Sequence, residues 1–280
     1  MTTTMHTAPA ILRAAIRQAA ADVRPSILGT GAFSLVLAIL PVIVVGVLGS
    51  SSDDAGTAFG PMLVAGSIGA FGCFVTLQIA GEMYTDRVGG ALLRVRILPH
   101  GPLVWAIGKT ASSITMSVII QGAVLTGALL TGSLPLSAPQ VLTCLPLIVL
   151  SAVAAAPLGF LMGSMTRGLY SVMITYLAAL PLLLTGGSFF PLDWLPRWAQ
   201  VVQLVLPTYW AGHLTRWALA GDPAWEVGGA FSPALAVGIL AAWAVIGFAM
   251  APVVIRLSFR KESIGTLSRM QSAVRSQSGL

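Results

Sequence analysis

Six apolar stretches, at about 27–48, 59–80, 104–131, 140–163, 169–190 and 230–255, take up most of the 280 residues. Each can cross roughly 30 Å of hydrocarbon at about 20 residues per crossing. A backbone surrounded by lipid must satisfy its N–H and C=O groups internally, so such stretches are expected to be helices. Composition agrees, with 56% hydrophobic residues, 9% charged residues and a mean hydropathy of +0.89, outside the range of soluble domains. The expected fold is an all-α polytopic membrane protein with six transmembrane helices. The first stretch exceeds a signal-peptide core and follows an arginine-bearing arm over 1–26, so it is expected to remain in the mature protein.

Charge sets the orientation. Thirteen of the fifteen Lys and Arg fall in the arm, the 81–109 connection, the Arg167 turn and the C-terminal tail; only Arg197 and Arg216 lie on the other side. The positive-inside rule then places both termini in the cytoplasm. The 49–58 and 132–139 connections, with Asp53 and Asp54 but no basic residue, agree. The net charge of +6 reads as a signal for topology and lipid headgroups, and no aromatic-interleaved basic patch suggests nucleic acid. Arginine outnumbers lysine thirteen to two, and Ala and Gly abound, which points to a GC-rich bacterial genome and a bacterial inner membrane. The chain divides into the arm (1–26), a transmembrane domain (27–255) and a basic tail (256–280).

Several residue types carry no chemistry of their own. Cys73 and Cys144 fall inside spans and read as small packing residues. His6, His100 and His213 are scattered, which suggests no metal site. Gly108-Lys109-Thr110 looks like the end of a P-loop, but Leu103 stands where that motif needs glycine, and no soluble strand precedes it. Lys109 reads instead as a residue snorkelling from the inner end of the third span. Gly159 and Gly163 form a GxxxG pair suited to helix packing.

Three segments have patterns of their own. In the arm, Leu12, Ile16, Ala19 and Val23 recur at helical spacing beside Arg13, Arg17 and Arg24, an interfacial amphipathic helix that Pro25 should break. It serves either as a membrane anchor or as a lever touching a cytoplasmic partner. Residues 81–102 hold a helix-capable stretch from Ala91 to Leu98, preceded by Gly89-Gly90 and stopped by Pro99. Its apolar Leu92, Leu93, Val95 and Ile97 stand among the charged Arg94 and Arg96, a pattern suited to docking rather than mere connection. At the other side, Pro191, Pro196 and Pro207 break the chain at short intervals, among Trp194, Trp198, Tyr209 and Trp210. Such a segment, about 188–210, should fold back at the membrane boundary. Phe189 and Phe190 are expected to end the fifth span, with their rings sealing a pathway or packing between helices.

This order of parts resembles the membrane subunit of the ATP-binding-cassette type 2 exporters. One motif of that family, an acidic-basic pair followed by Gly, Leu and Pro, is matched by Asp86, Arg87, Gly90, Leu92 and Pro99. A second is matched by Ser188, Phe189, Phe190, Pro191, Leu192, Leu195, Pro196 and Trp198, and a third by Pro207 and Arg216. The chain departs from the family at Val88-Gly89, where a second acidic-basic pair is common, and at His213, where Glu is common.

The resemblance implies a coupling helix at about 84–98, with Asp86, Arg87, Gly90, Leu92, Leu93, Arg94 and Arg96 facing an ATPase. It also implies an outer gate of Phe189, Phe190, Pro191, Trp194, Pro196, Pro207, Tyr209, His213 and Arg216. The chain itself would hold no cofactor and catalyse nothing. ATP and Mg would sit on two partner ATPase subunits, and a second permease subunit, identical or related, would complete the pathway. Almost no ionisable residue lies within the spans, which argues against an ion-coupled carrier and suits an amphiphilic cargo such as a drug or antibiotic. A lipid or glycan exporter, or a membrane structural or sensor protein, are the alternatives.

Overall fold

The computed structural model describes residues 7–28, 40, 44, 59–134, 136–166, 168–260, 265, 268, 271 and 272. All regular structure among the described residues is helical. In chain order the helices are α1 (Thr7–Leu28), α2 (Phe59–Cys73), α3 (Val75–Val88), α4 (Ala91–Arg96) and α5 (Gly101–Thr131). There follow α6 (Ala138–Met165), α7 (Leu169–Leu184), α8 (Arg197–Val205), α9 (Pro207–Leu219) and α10 (Pro233–Arg260). The expected first span at 27–48 lies almost wholly outside the described residues, as do Asp53, Asp54, Arg167 and most of the 256–280 tail.

Four helical segments are long and apolar enough to cross a membrane: Phe59–Val88, Gly101–Thr131, Ala138–Met165 and Pro233–Phe259. The first of these is α2 and α3 in line across Phe74, which keeps right-handed helical dihedrals. It runs well beyond the expected end at residue 80. The fifth stretch departs from expectation in the other direction. α7 has 16 residues and ends at Leu184, a length of about 24 Å by helical rise, short of a full crossing. Hydropathy counts Phe189 and Phe190 as span, whereas the backbone has already turned at Gly186-Gly187.

Two other boundaries move. Pro25 does not end α1, which continues through it to Leu28; the proline forgoes one backbone hydrogen bond in the last turn. The expected helix over 84–98 is two pieces. α3 runs to Val88, and Gly90 then takes a left-handed conformation at φ 71° before the six-residue α4. A side chain at Gly90 would be strained there, so this glycine sets the corner.

The α2–α3 segment is the innermost of the long helices and α10 the least enclosed. One apolar cluster, including Val64, Ile68, Val124, Ile148 and Leu214, lies toward α9. A second, including Met83, Leu92, Trp105, Phe160, Ile255 and Phe259, lies toward α4. Polar bonds join the helices between them. Gln121 Nε2 donates to Ile148 O at 3.3 Å, Ser151 Oγ donates to Gln121 Oε1 at 3.1 Å, and Ser117 Oγ donates to Phe71 O at 3.3 Å. Such bonds hold helices together where lipid offers no alternative partner. Gly159 and Gly163 face α3, where an added Cβ would lie 2.7 Å from Ile79 Cβ and 2.8 Å from Met83 Sδ. The GxxxG pair is thus a packing contact. Cys73 and Cys144 are buried and free.

α1 packs on α5 through Ala15 and Ala19, both buried, with Gln18 lying over Gly108. The larger apolar residues Leu12 and Ile16 remain exposed. Small residues make the close contact, and the bulky stripe seen in the sequence is left to the surroundings.

Candidate functional site

Two polar assemblies, each built on a buried cation, occupy opposite ends of the α2–α3 segment. At the α4 end, Lys109 of α5 meets three carboxylates: Asp22 of α1 at 3.1 Å, and Asp86 and Glu82 of α3 at 3.2 and 3.4 Å. Asp86 also accepts a bond from Trp105 Nε1 at 2.8 Å, and Glu82 one from Gln78 Nε2 at 3.0 Å. Lys109 is buried, so it does not snorkel as expected. The three carboxylates give its ammonium an ionic partner inside the protein, and this removes the drive to reach solvent. The same lysine clasps the arm to the two helices flanking α4.

Arg87 is also buried. Its guanidinium donates to Thr166 O, to Gly163 O at 3.3 Å and to Ser258 Oγ at 2.9 Å. It thereby caps the carbonyl end of α6, where a cation is favoured, and ties it to α10. Leu92 is fully buried in the α4-end cluster. Of the expected coupling residues, then, Asp86, Arg87 and Leu92 are engaged within the chain. Leu93 is half-buried, and Arg94 and Arg96 are exposed. Arg94 donates to Gly89 O at 3.2 Å. Beside them Ile97 and Leu98 are 83% and 57% exposed. These two apolar side chains complete the outward surface of the 91–98 segment and were not among the expected site residues.

At the α9 end, Tyr209, His213 and Arg216 lie at i, i+4 and i+7 and share one face of α9. Their common partner is Glu226, in the connection between α9 and α10. Arg216 Nε donates to Glu226 Oε1 at 2.6 Å, Tyr209 Oη donates to Oε2 at 3.0 Å, and His213 Nδ1 lies 2.6 Å from the same oxygen. The Ser232 N–H donates to His213 Nε2 at 3.0 Å. That nitrogen is therefore an acceptor, and the ring proton sits on Nδ1 facing Glu226. Burial pushes the Glu226 carboxyl up, but the hydrogen bond from His213 and the adjacent Arg216 outweigh it and hold the group at about 2.

Arg216 Nη1 reaches across to Gly187 O at 2.7 Å, in the turn after α7. Space for the guanidinium comes from Gly66 of α2, where a Cβ would lie 2.4 Å from Ser188 O and 2.9 Å from Arg216 Nη1. Nearby, Gln203 of α8 donates to Leu182 O at 2.9 Å and accepts from Thr208 Oγ1 at 2.9 Å. The chain after α7 is thus pinned at the Gly187 turn and near the C-terminal end of α8.

The rest of the expected gate stands apart from this assembly. The rings of Phe189 and Phe190 diverge: Phe189 meets Phe71 of α2 edge-on at 6.4 Å, while Phe190 stacks on Trp194 at 6.3 Å. Trp194 is largely exposed. Pro191 and Pro196 flank the turn carrying Trp194, and Pro207 opens α9 in its first turn, where its missing N–H costs nothing. Glu226 and Gly66 were not found by sequence reasoning. The available signal was an acidic residue in a connection otherwise suited to an outer loop. Among the described residues, no group of three or more His, Cys, Asp or Glu could hold a metal ion.

A family model described as ABC-2 type transporter matches residues 11–220. No curated protein matches the chain.

Proposed function

Because this chain belongs to the ABC-2 type transporter family, as the match over more than half its length shows, we propose that it is the permease subunit of an exporter. In this reading it moves an amphiphilic compound such as a drug or antibiotic out of a bacterial cell. Two copies of the permease, or one copy with a related chain, assemble with two separate ATPase subunits that bind ATP and Mg. Both termini lie in the cytoplasm, as the distribution of basic residues favours.

The family match is the observation that carries this reading. The outward surface after α3 supplies its mechanical part. Arg94, Arg96, Ile97 and Leu98 offer an ATPase a basic and apolar contact, and Lys109 links the base of that contact to α1, α3 and α5. A push on α4 reaches α3 directly through the Gly90 corner and passes along the innermost helix to the Arg216 assembly. Phe189, seated on Phe71 of that helix, is the aromatic placed to respond. The weakly charged interior suits an amphiphile better than an ion.

The test is reconstitution of the permease with its ATPase in vesicles, following ATP-dependent movement of a fluorescent amphiphile. ATP-driven transport that disappears without the ATPase supports the proposal. An ATPase that copurifies yet drives movement only of lipid or glycan would replace the cargo class and keep the rest.

A further inference from the structure

A groove of about 720 Å³ runs between α5 and α10 at the end of the molecule that bears α4. Its walls are Leu103, Ile107 and Ile114 on one side and Phe248, Pro252 and Ile255 on the other. The Thr110 hydroxyl is turned back to Ala106 O at 2.8 Å, so the length of the groove is apolar. Charge appears at one end only, where Arg256 lies in the last turns of α10, beside the polar His100 that precedes α5. Arg256 is exposed and makes no ion pair with any described residue.

We infer that this groove binds one anionic phospholipid of the cytoplasmic leaflet, its headgroup at Arg256 and an acyl chain between α5 and α10. The membrane orientation is taken from the permease reading. Three observations favour this occupant. From Leu103 to Ile114 the helix rises about 17 Å, close to one leaflet of a core roughly 30 Å thick. The charge sits where a headgroup would, and basic pockets between helices on the cytoplasmic side suit acidic headgroups. α10 is the least enclosed of the long helices, so the groove opens sideways, in the direction from which lipid arrives.

The full-length protein is placed in phosphatidylcholine vesicles containing a minor fraction of photoreactive phosphatidylglycerol, and the labelled peptides are mapped. Labelling should concentrate on residues 103–114 and 248–256, and unlabelled phosphatidylglycerol should compete it away while phosphatidylcholine does not. Arg256→Gln, at an exposed position, should weaken the competition about fivefold, the loss expected for one cation near an acidic surface at ~1 kcal/mol. Arg197→Gln, exposed near the opposite end, should leave it unchanged. Labelling spread evenly over the helices, or unaltered by Arg256→Gln, overturns the inference. So does a disulfide formed in high yield between Ile107→Cys and a cysteine placed within 29–48, since the chain itself would then fill the groove. None of these readouts measures export, so the lipid site and the permease reading can fail separately.

Discussion

Glu226 holds three side chains of α9 at once, so its removal leaves a buried guanidinium with one carbonyl partner and frees a tyrosine and a histidine. Glu226→Ala should destabilise the protein by about 3–5 kcal/mol, the usual cost of breaking a buried ion pair from one side, measured as thermal unfolding in detergent. The pH dependence has a definite sign. The carboxyl sits at about 2 in the folded protein against 4.5 as its ordinary value. Its stabilisation is therefore complete above about pH 4.5 and is lost as pH falls toward 2. In Glu226→Gln that loss should be absent, and the decline in stability between pH 5 and pH 3 correspondingly shallower. Gly66→Ala provides a steric counterpart, since its methyl would enter the space of a backbone carbonyl and of Arg216. It should destabilise the protein more than Gly122→Ala, whose added Cβ meets nothing within 4 Å. Tyr209, His213 and Arg216 could be found in the sequence because the motif of Pro207 and Arg216 brackets them and an interfacial aromatic and a histidine stand out between its ends. Their carboxylate could not, because an ion pair closed through a loop leaves no periodic trace.

Among the elements, α4 shows what hydropathy and motif spacing leave out. Leu92 and Arg94 differ by two positions, yet one is fully buried and the other exposed. Sequence spacing put them on one docking surface. The Gly90 corner turns the short helix so that Leu92 enters the core and Ile97 and Leu98 point away. Arg94→Glu with Ile97→Asp should therefore abolish ATP hydrolysis linked to transport while membrane insertion and thermal stability stay near the parent values. Leu92→Asp should instead lower stability and yield, because it places a carboxylate in an apolar cluster. An Arg94→Glu, Ile97→Asp variant that exports normally would move the ATPase contact to another surface. Among the described residues, helices stand where the apolar stretches were read, since a run of twenty apolar residues has few alternatives. Helix ends were not. The extension of α3 to Val88 goes with the partners found by Glu82, Asp86 and Arg87, and the early stop of α7 with the turn at Gly186-Gly187, and hydropathy records neither.

At the scale of the whole molecule, α5, α6 and α9 pack around the α2–α3 segment, with a charged assembly at each end and few charges between. Lys109 was read from sequence as a lone cation at a membrane edge because its three carboxylates come from two other helices. Two predictions belong to this scale. A reporter fused after Leu280 should be active only if it functions in the cytoplasm, and activity of a periplasmic reporter there would invert the topology. Purification with the ATPase, followed by mass measurement, should give two permeases and two ATPases; a transport-competent complex with one of each would refute the paired arrangement.

The clasp between Asp22 and Lys109 also bears on how the protein is made. Asp22 leaves the ribosome well before Lys109, with the whole α2–α3 segment synthesised in between. Until α5 enters the bilayer the arm lacks the cation that holds it, and Glu82 and Asp86 must wait at the membrane surface for the same residue. Insertion of α5 is thus the event that gathers three earlier acidic groups and fixes the arm. A nascent chain stopped before residue 109 should leave the arm open to added protease, whereas one stopped after the end of α5 should protect it.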